Sequence, residues 1–267
     1  MSYPHDYHLH SLFSCDSQTP MTETCQAALG RGMTEIGFAD HFDSIPLDSC
    51  YNYFRLEPWA AALEDCRRQF SGSLVIRAGV EIGEPHRYAA EAAGLLAQYP
   101  FDYVIGSLHW VGEELTLEAP YFRRPADEAF RLYFEELEKM TRLGDFDIVG
   151  HFDVVTRAGY TAYGAYDPRR YEDVIRAALK HCVERGLALE LNTSAVRRSL
   201  KEVTPGIEIL RWYTAMGGER VTLGSDAHRA VRVAEDFDVA LDNLRAAGLK
   251  YVTQFEGRQA KLVAIGP

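Results

Sequence analysis

The chain has 267 residues, 47% hydrophobic and 25% charged, which excludes disorder and fibrous repeats and allows one domain, residues 1–267, with a large core. A formal net charge of −11 excludes general affinity for nucleic acid, which depends on Lys and Arg neutralising phosphates, and leaves room only for a local cationic site. The five cysteines form no C-x-x-C pair. The start MSYPHDYHLH lacks a basic and an apolar leader region, and no apolar run is long enough to span a membrane, so a soluble protein of the reducing cytoplasm without membrane partners is expected.

In chain order, short apolar runs rich in Val and Ile alternate with longer segments of helical period. Strands are expected at 7–11, 35–40, 74–82, 103–109, 147–152, 188–192 and 221–225, with a weaker one at 251–255. Helices are expected at 23–31, 58–70, 88–98, 126–143, 168–185, 206–216 and 231–246. Asp167 before Pro168 supplies a helix start, and Gly186 and Gly248 supply stops. This βαβα rhythm predicts a mainly parallel sheet covered by helices. Seven such units favour a barrel over an open doubly wound sheet, and a barrel places its chemistry at the C-terminal ends of the strands.

Metal-binding side chains gather at those ends. His8 and His10 close the first expected strand, His41 follows the second, Glu81 lies in the third, His109 and His151 end the fourth and fifth, and Asp226 and His228 follow the seventh. Side chains two apart on a strand share a face, so the imidazoles of His8 and His10 can share one ion. Asp226 and His228 combine oxygen and nitrogen donors, which suits Zn, Mn or Fe.

The ordered motifs DYHLHSLFSCD, GFADH, GVEIG, GSLHW, GHFD, ELNTSAVR and GSDAH resemble the polymerase and histidinol phosphatase (PHP) superfamily, and within it the histidinol-phosphate phosphatases. The resemblance implies an α/β fold, a distorted (β/α)7 TIM-like barrel of the PHP type, with three divalent ions (Zn, Fe or Mn). It implies one ion held by His8, His10, Glu81 and Asp226, a second by Glu81, His109 and His151, and a third by Asp16, His41 and His228. Asp16 enters on the resemblance alone. Arg157 and Arg197 follow expected strand ends and match positions where the resembling phosphatases bind phosphate, with Arg198 as a rival to Arg197.

The implied reaction is hydrolysis of a small phosphomonoester, L-histidinol phosphate, in histidine biosynthesis, with Glu81, His109 and Asp226 acting through a metal-bridging hydroxide. Another PHP phosphoesterase acting on nucleotide or sugar phosphates is the nearest alternative, and a metal amidohydrolase a more distant one. Asp43, Asn192, Ser194 and His86 stay open as substrate contacts, and His5 and His181 fall outside the strand-end pattern.

Overall fold

A computed structural model describes residues 3–265. The elements are β1 (Asp6–Leu9), α1 (Met21–Gly30), β2 (Glu35–Phe38), β3 (His41–Phe42), α2 (Leu56–Gln69), β4 (Val75–Gly83), α3 (Ala89–Leu96), β5 (Tyr103–Ser107), β6 (Trp110–Val111), β7 (Glu114–Leu115) and α4 (Ala126–Leu143). There follow β8 (Ile148–Val149), α5 (Val155–Tyr163), α6 (Glu172–Arg185), β9 (Ala188–Asn192), α7 (Ile207–Ala215), β10 (Val221–Gly224), α8 (Phe237–Ala246), β11 (Tyr251–Glu256) and β12 (Gln259–Ala264).

Seven parallel strands run in the order β1-β2-β4-β5-β8-β9-β10, with the short β3 paired on β4 beyond the end of β2. A bridge between Leu9 and Ala227, with His10 N–H donating to Ala227 O at 3.0 Å, brings the last strand back to the first. The result is a nearly closed (β/α)7 barrel, as the strand rhythm implied. Every residue of YVIGS in β5 and ALELN in β9 is buried, as expected for strands covered on both faces. Helix α4 matches the expected span, and its Phe130, Tyr133, Phe134, Leu137 and Met140 fall on one face toward the core.

Several elements differ from expectation. The segment 251–255 is a strand, but it pairs antiparallel with β12 outside the barrel. Its Phe255 joins Tyr7, Ala39, Tyr103, Ile105, Ile148 and Ala188 in a separate core cluster inside the strands. The expected helix 168–185 divides into a 3-10 turn, capped by Asp167, and α6, which Gly186 ends at φ 69°. The helix expected at 231–246 is a 3-10 turn and then α8. Strand β8 is only two residues long because the chain turns at once through Gly150 and His151. Helix α5, which carries Arg157, was not expected, because VTRAGYTAY mixes β-branched residues and glycine. Cys15 and Cys50 form a disulfide, contrary to the expectation of reduced thiols, while Cys25, Cys66 and Cys182 are free and buried. Among the described residues no helix is long and apolar enough to cross a membrane.

Candidate metal centre

The strand ends converge as a barrel requires, and all nine expected ligands meet at one mouth. Glu81 is central and 1% exposed. His8 Nε2 lies 3.3 Å and His10 Nε2 3.6 Å from Glu81 Oε2, and His10 Nε2 lies 3.5 Å from Asp226 Oδ1. On the other carboxylate oxygen, Oε1, His151 Nε2 approaches to 3.1 Å and His109 Nε2 to 3.6 Å. Farther out, Asp16 Oδ2 is 2.9 Å from His228 Nε2 and 3.7 Å from His41 Nε2. His41 also turns Nδ1 toward Glu81 Oε2 at 2.9 Å, so it stands between the outer and inner groups.

Donor atoms about 2.1 Å from a shared tetrahedral ion stand about 3.4 Å apart, close to these separations. His8 Nε2 and His10 Nε2 are buried without a hydrogen-bond partner, a costly arrangement for protein atoms alone and a suitable one for metal ligands. The donor set therefore fits divalent ions. Burial would raise Glu81, but the charges of His8 and His41 and the hydrogen bonds from His151 and His41 outweigh it and hold the carboxyl well below its usual range. Burial would likewise raise Asp226, and the His10 ring 3.5 Å away and the charges of His8 and His228 hold it low. Burial, reinforced by His228 and His41, pushes His10 down to about 3.

The ligands are held from behind. Ser14 Oγ donates to Asp40 Oδ1 at 2.7 Å and lies 2.9 Å from His10 Nδ1, so its lone pair receives the ring N–H. Asp40 also accepts from Ser11 N–H and the Trp59 indole, which fixes the loop between β1 and α1. Glu190 Oε1 sits 2.6 Å from His8 Nδ1. His151 and Asp226 adopt positive φ, 23° and 53°, where non-glycine residues are uncommon. Strand-end reasoning missed Asp40 and Glu190; in hindsight the signal for Glu190 is a carboxylate inside the wholly buried run ALELN.

A cavity of about 530 Å³ opens over the centre, lined by Asp16, His41, Glu81, His109, His151, Asp226 and His228 and by arginines. Arg157 donates to Ser194 Oγ at 3.2 Å and lies 3.8 Å from Asp226 Oδ2; burial lowers it to about 10. Arg197 donates through Nη2 to Ser225 O at 2.8 Å and its Nε lies 3.4 Å from Glu235, while its buried Nη1 has no partner. Arg198, also on the cavity wall, is exposed. Asn192 and Ser194 bond to each other and to Glu190 and Arg157. His86 is 2.9 Å from Glu136 and His181 2.9 Å from Glu138, neither on the cavity wall, and buried His5 accepts Leu223 N–H. Asp43 is buried 3.6 Å from His41 Nδ1, and burial, against the opposing pull of His41, raises it to about 7.

Comparison with known proteins adds an independent line. The chain is 30% identical to a probable histidinol-phosphatase of Clostridium acetobutylicum over 262 residues, covering 96% of this chain and 98% of that one. It is 27% identical to the histidinol-phosphatase of Lactococcus lactis over 262 residues, covering 94% of each. The crystal structure of histidinol phosphate phosphatase from Lactococcus lactis, complexed with zinc, L-histidinol and phosphate, superposes with a TM-score of 0.88 at 24% identity, covering 98% of this chain and 100% of that one, a likeness of fold. The family model of the PHP domain matches residues 6–194. With that match over most of its length and a full-length relative at 30% identity, the chain belongs to the PHP domain family.

Proposed function

We propose that the protein is a single-domain, metal-dependent phosphomonoesterase that hydrolyses L-histidinol phosphate to L-histidinol and phosphate, a cytoplasmic step of histidine biosynthesis. The observation that carries the chemistry is Glu81, a buried carboxylate with imidazoles on both oxygens beneath a cavity that Arg157 and Arg197 enter. The substrate follows from the full-length relatives named histidinol-phosphatase.

Three ions are proposed. His8, His10, Glu81 and Asp226 would hold one, Glu81, His109 and His151 a second, and Asp16, His41 and His228 a third. Bound divalent ions supply Lewis acidity toward phosphoryl oxygens and activation of water at neutral pH. The chain's own part is to orient and enclose. Arg197, braced by Ser225 O and Glu235, keeps Nη1 free for a phosphate oxygen, and Arg157, braced by Ser194, enters from the α5 side. Three carboxylates, Asp16, Glu81 and Asp226, offset only part of the charge of three divalent ions, so the loaded site favours a dianion within an acidic chain.

The test joins elemental analysis of protein purified without added metal to a phosphate-release panel of histidinol phosphate, nucleoside monophosphates and sugar phosphates. About three ions per chain and a kcat/KM for histidinol phosphate well above the others is expected. Preference for a nucleotide by orders of magnitude would overturn the substrate, and metal-independent activity would overturn the mechanism.

A further inference from the structure

Glu190 is 1% exposed, lies in the middle of β9, and touches two expected ligands that different strands carry, His8 on β1 and His151 after β8. Oε1 is 2.6 Å from His8 Nδ1, and Oε2 accepts the backbone N–H of His151 at 2.7 Å and the Asn192 amide at 3.1 Å. The neighbouring strand β10 leaves space for this carboxylate at Gly224. A Cβ on Gly224 would collide with Glu190 Oε1 and with His8 Cβ.

We propose that Glu190 is a positioning residue of the metal centre, fixing the ring of His8 and the turn of His151 so that both present Nε2 toward Glu81. The inference rests on the reading of the centre as a metal site. A carboxylate beside Nδ1 makes that nitrogen the N–H donor and leaves the Nε2 lone pair toward the ion, and such an outer partner raises the basicity of the ligand. Nε2 of His8 is buried without a hydrogen bond, as this arrangement requires. At His151 the bond to Oε2 holds a backbone at φ 23°, a conformation that few non-glycine residues adopt without outside support. One side chain thereby sets an imidazole of the first proposed ion and the backbone of a ligand to the second.

The experiment measures zinc affinity of the full chain by competition with a chelator, alongside far-ultraviolet circular dichroism. Glu190→Gln keeps the shape and removes the charge; Glu190→Asp keeps the charge and shortens its reach to His8 Nδ1. Both are expected to weaken zinc binding about 10- to 100-fold, the range for loss of an outer-shell partner, with native circular dichroism. Should the variants fail to fold, nitrogen NMR of the zinc-loaded parent gives a second readout: His8 is expected to bind through Nε2 and carry its proton on Nδ1. Coordination through Nδ1, or unchanged affinity in folded variants, overturns the proposal while leaving the metal centre standing. A parent chain that binds no zinc overturns both.

Discussion

Tyr103 lies stacked on Tyr7 inside the barrel, ring centroids 4.6 Å apart, and donates its hydroxyl to the Tyr7 carbonyl at 2.6 Å. Its ring reaches across β4 to β2 and covers Gly79 and Gly37, where any Cβ would overlap it. Gly37→Ala and Gly79→Ala are each expected to destabilise the fold by about 1–3 kcal/mol or more through overpacking. Urea denaturation checks this, and an unchanged midpoint would mean that the Tyr103 ring is free to move aside.

His5 supplies a pH dependence remote from the ligands. Burial lowers it to about 3 from an ordinary 6.5, so the unfolded chain binds its proton first as pH falls. Stability from this group is therefore complete above about pH 6.5 and is lost progressively toward pH 3, on the order of 5 kcal/mol in all. In His5→Gln, which can still accept the Leu223 N–H, the metal-free protein is expected to lose less stability over that window. Parallel slopes of unfolding free energy against pH in parent and variant would contradict this.

Arg197 is expected to contribute to phosphate binding through a charge-assisted contact worth about 1.5–3 kcal/mol. Arg197→Ala should then lower kcat/KM about 10- to 150-fold, and Arg197→Lys should recover only part, because the guanidinium fork is lost. Exposed Arg198 is the comparison, with Arg198→Ala expected to cost less than about fivefold. Equal effects at the two positions would reverse the assignment of the phosphate contact.

Removing metal should abolish activity reversibly. Treatment with a chelator is expected to stop phosphate release, and added zinc or manganese to restore it. Glu81→Ala should lower kcat/KM by more than about 100-fold, beyond the loss typical of an outer-shell partner, because two of the three proposed ion sites lose their shared ligand. Phosphate release that survives both treatments would leave the centre without a catalytic part.

The Cys15–Cys50 bond closes a loop across 35 residues. In the chain-entropy account such a loop stabilises by about 4 kcal/mol. Reduction, or Cys15→Ser, should lower the urea midpoint and loosen the loop that carries Asp16, so that metal analysis finds the outermost ion first to leave. A midpoint indifferent to reductant would show that the bond constrains nothing.

Much of this site was legible because a parallel barrel turns sequence order into spatial convergence: apolar runs ending in His8, His10, His41, His109 and His151 could meet only at one mouth. Glu190 was not legible as a functional residue, since it lies inside a strand and acts on groups far away in the chain. Nor was α5, whose residues have weak helix propensity and form a helix packed against α4. The short β8 and the outlying hairpin were misjudged in extent and partner, because period and composition do not say which strand another will pair with.

The bridge from Leu9 to Ala227 joins the two ends of the sheet beside His8 and His228. During synthesis, then, the first donors emerge early and wait, unmatched, until the chain is nearly finished. Loading of the whole centre is therefore a late event in the life of each molecule, and a chain that ends before Asp226 carries the proposed ligands of the second ion but lacks one ligand each of the first and third.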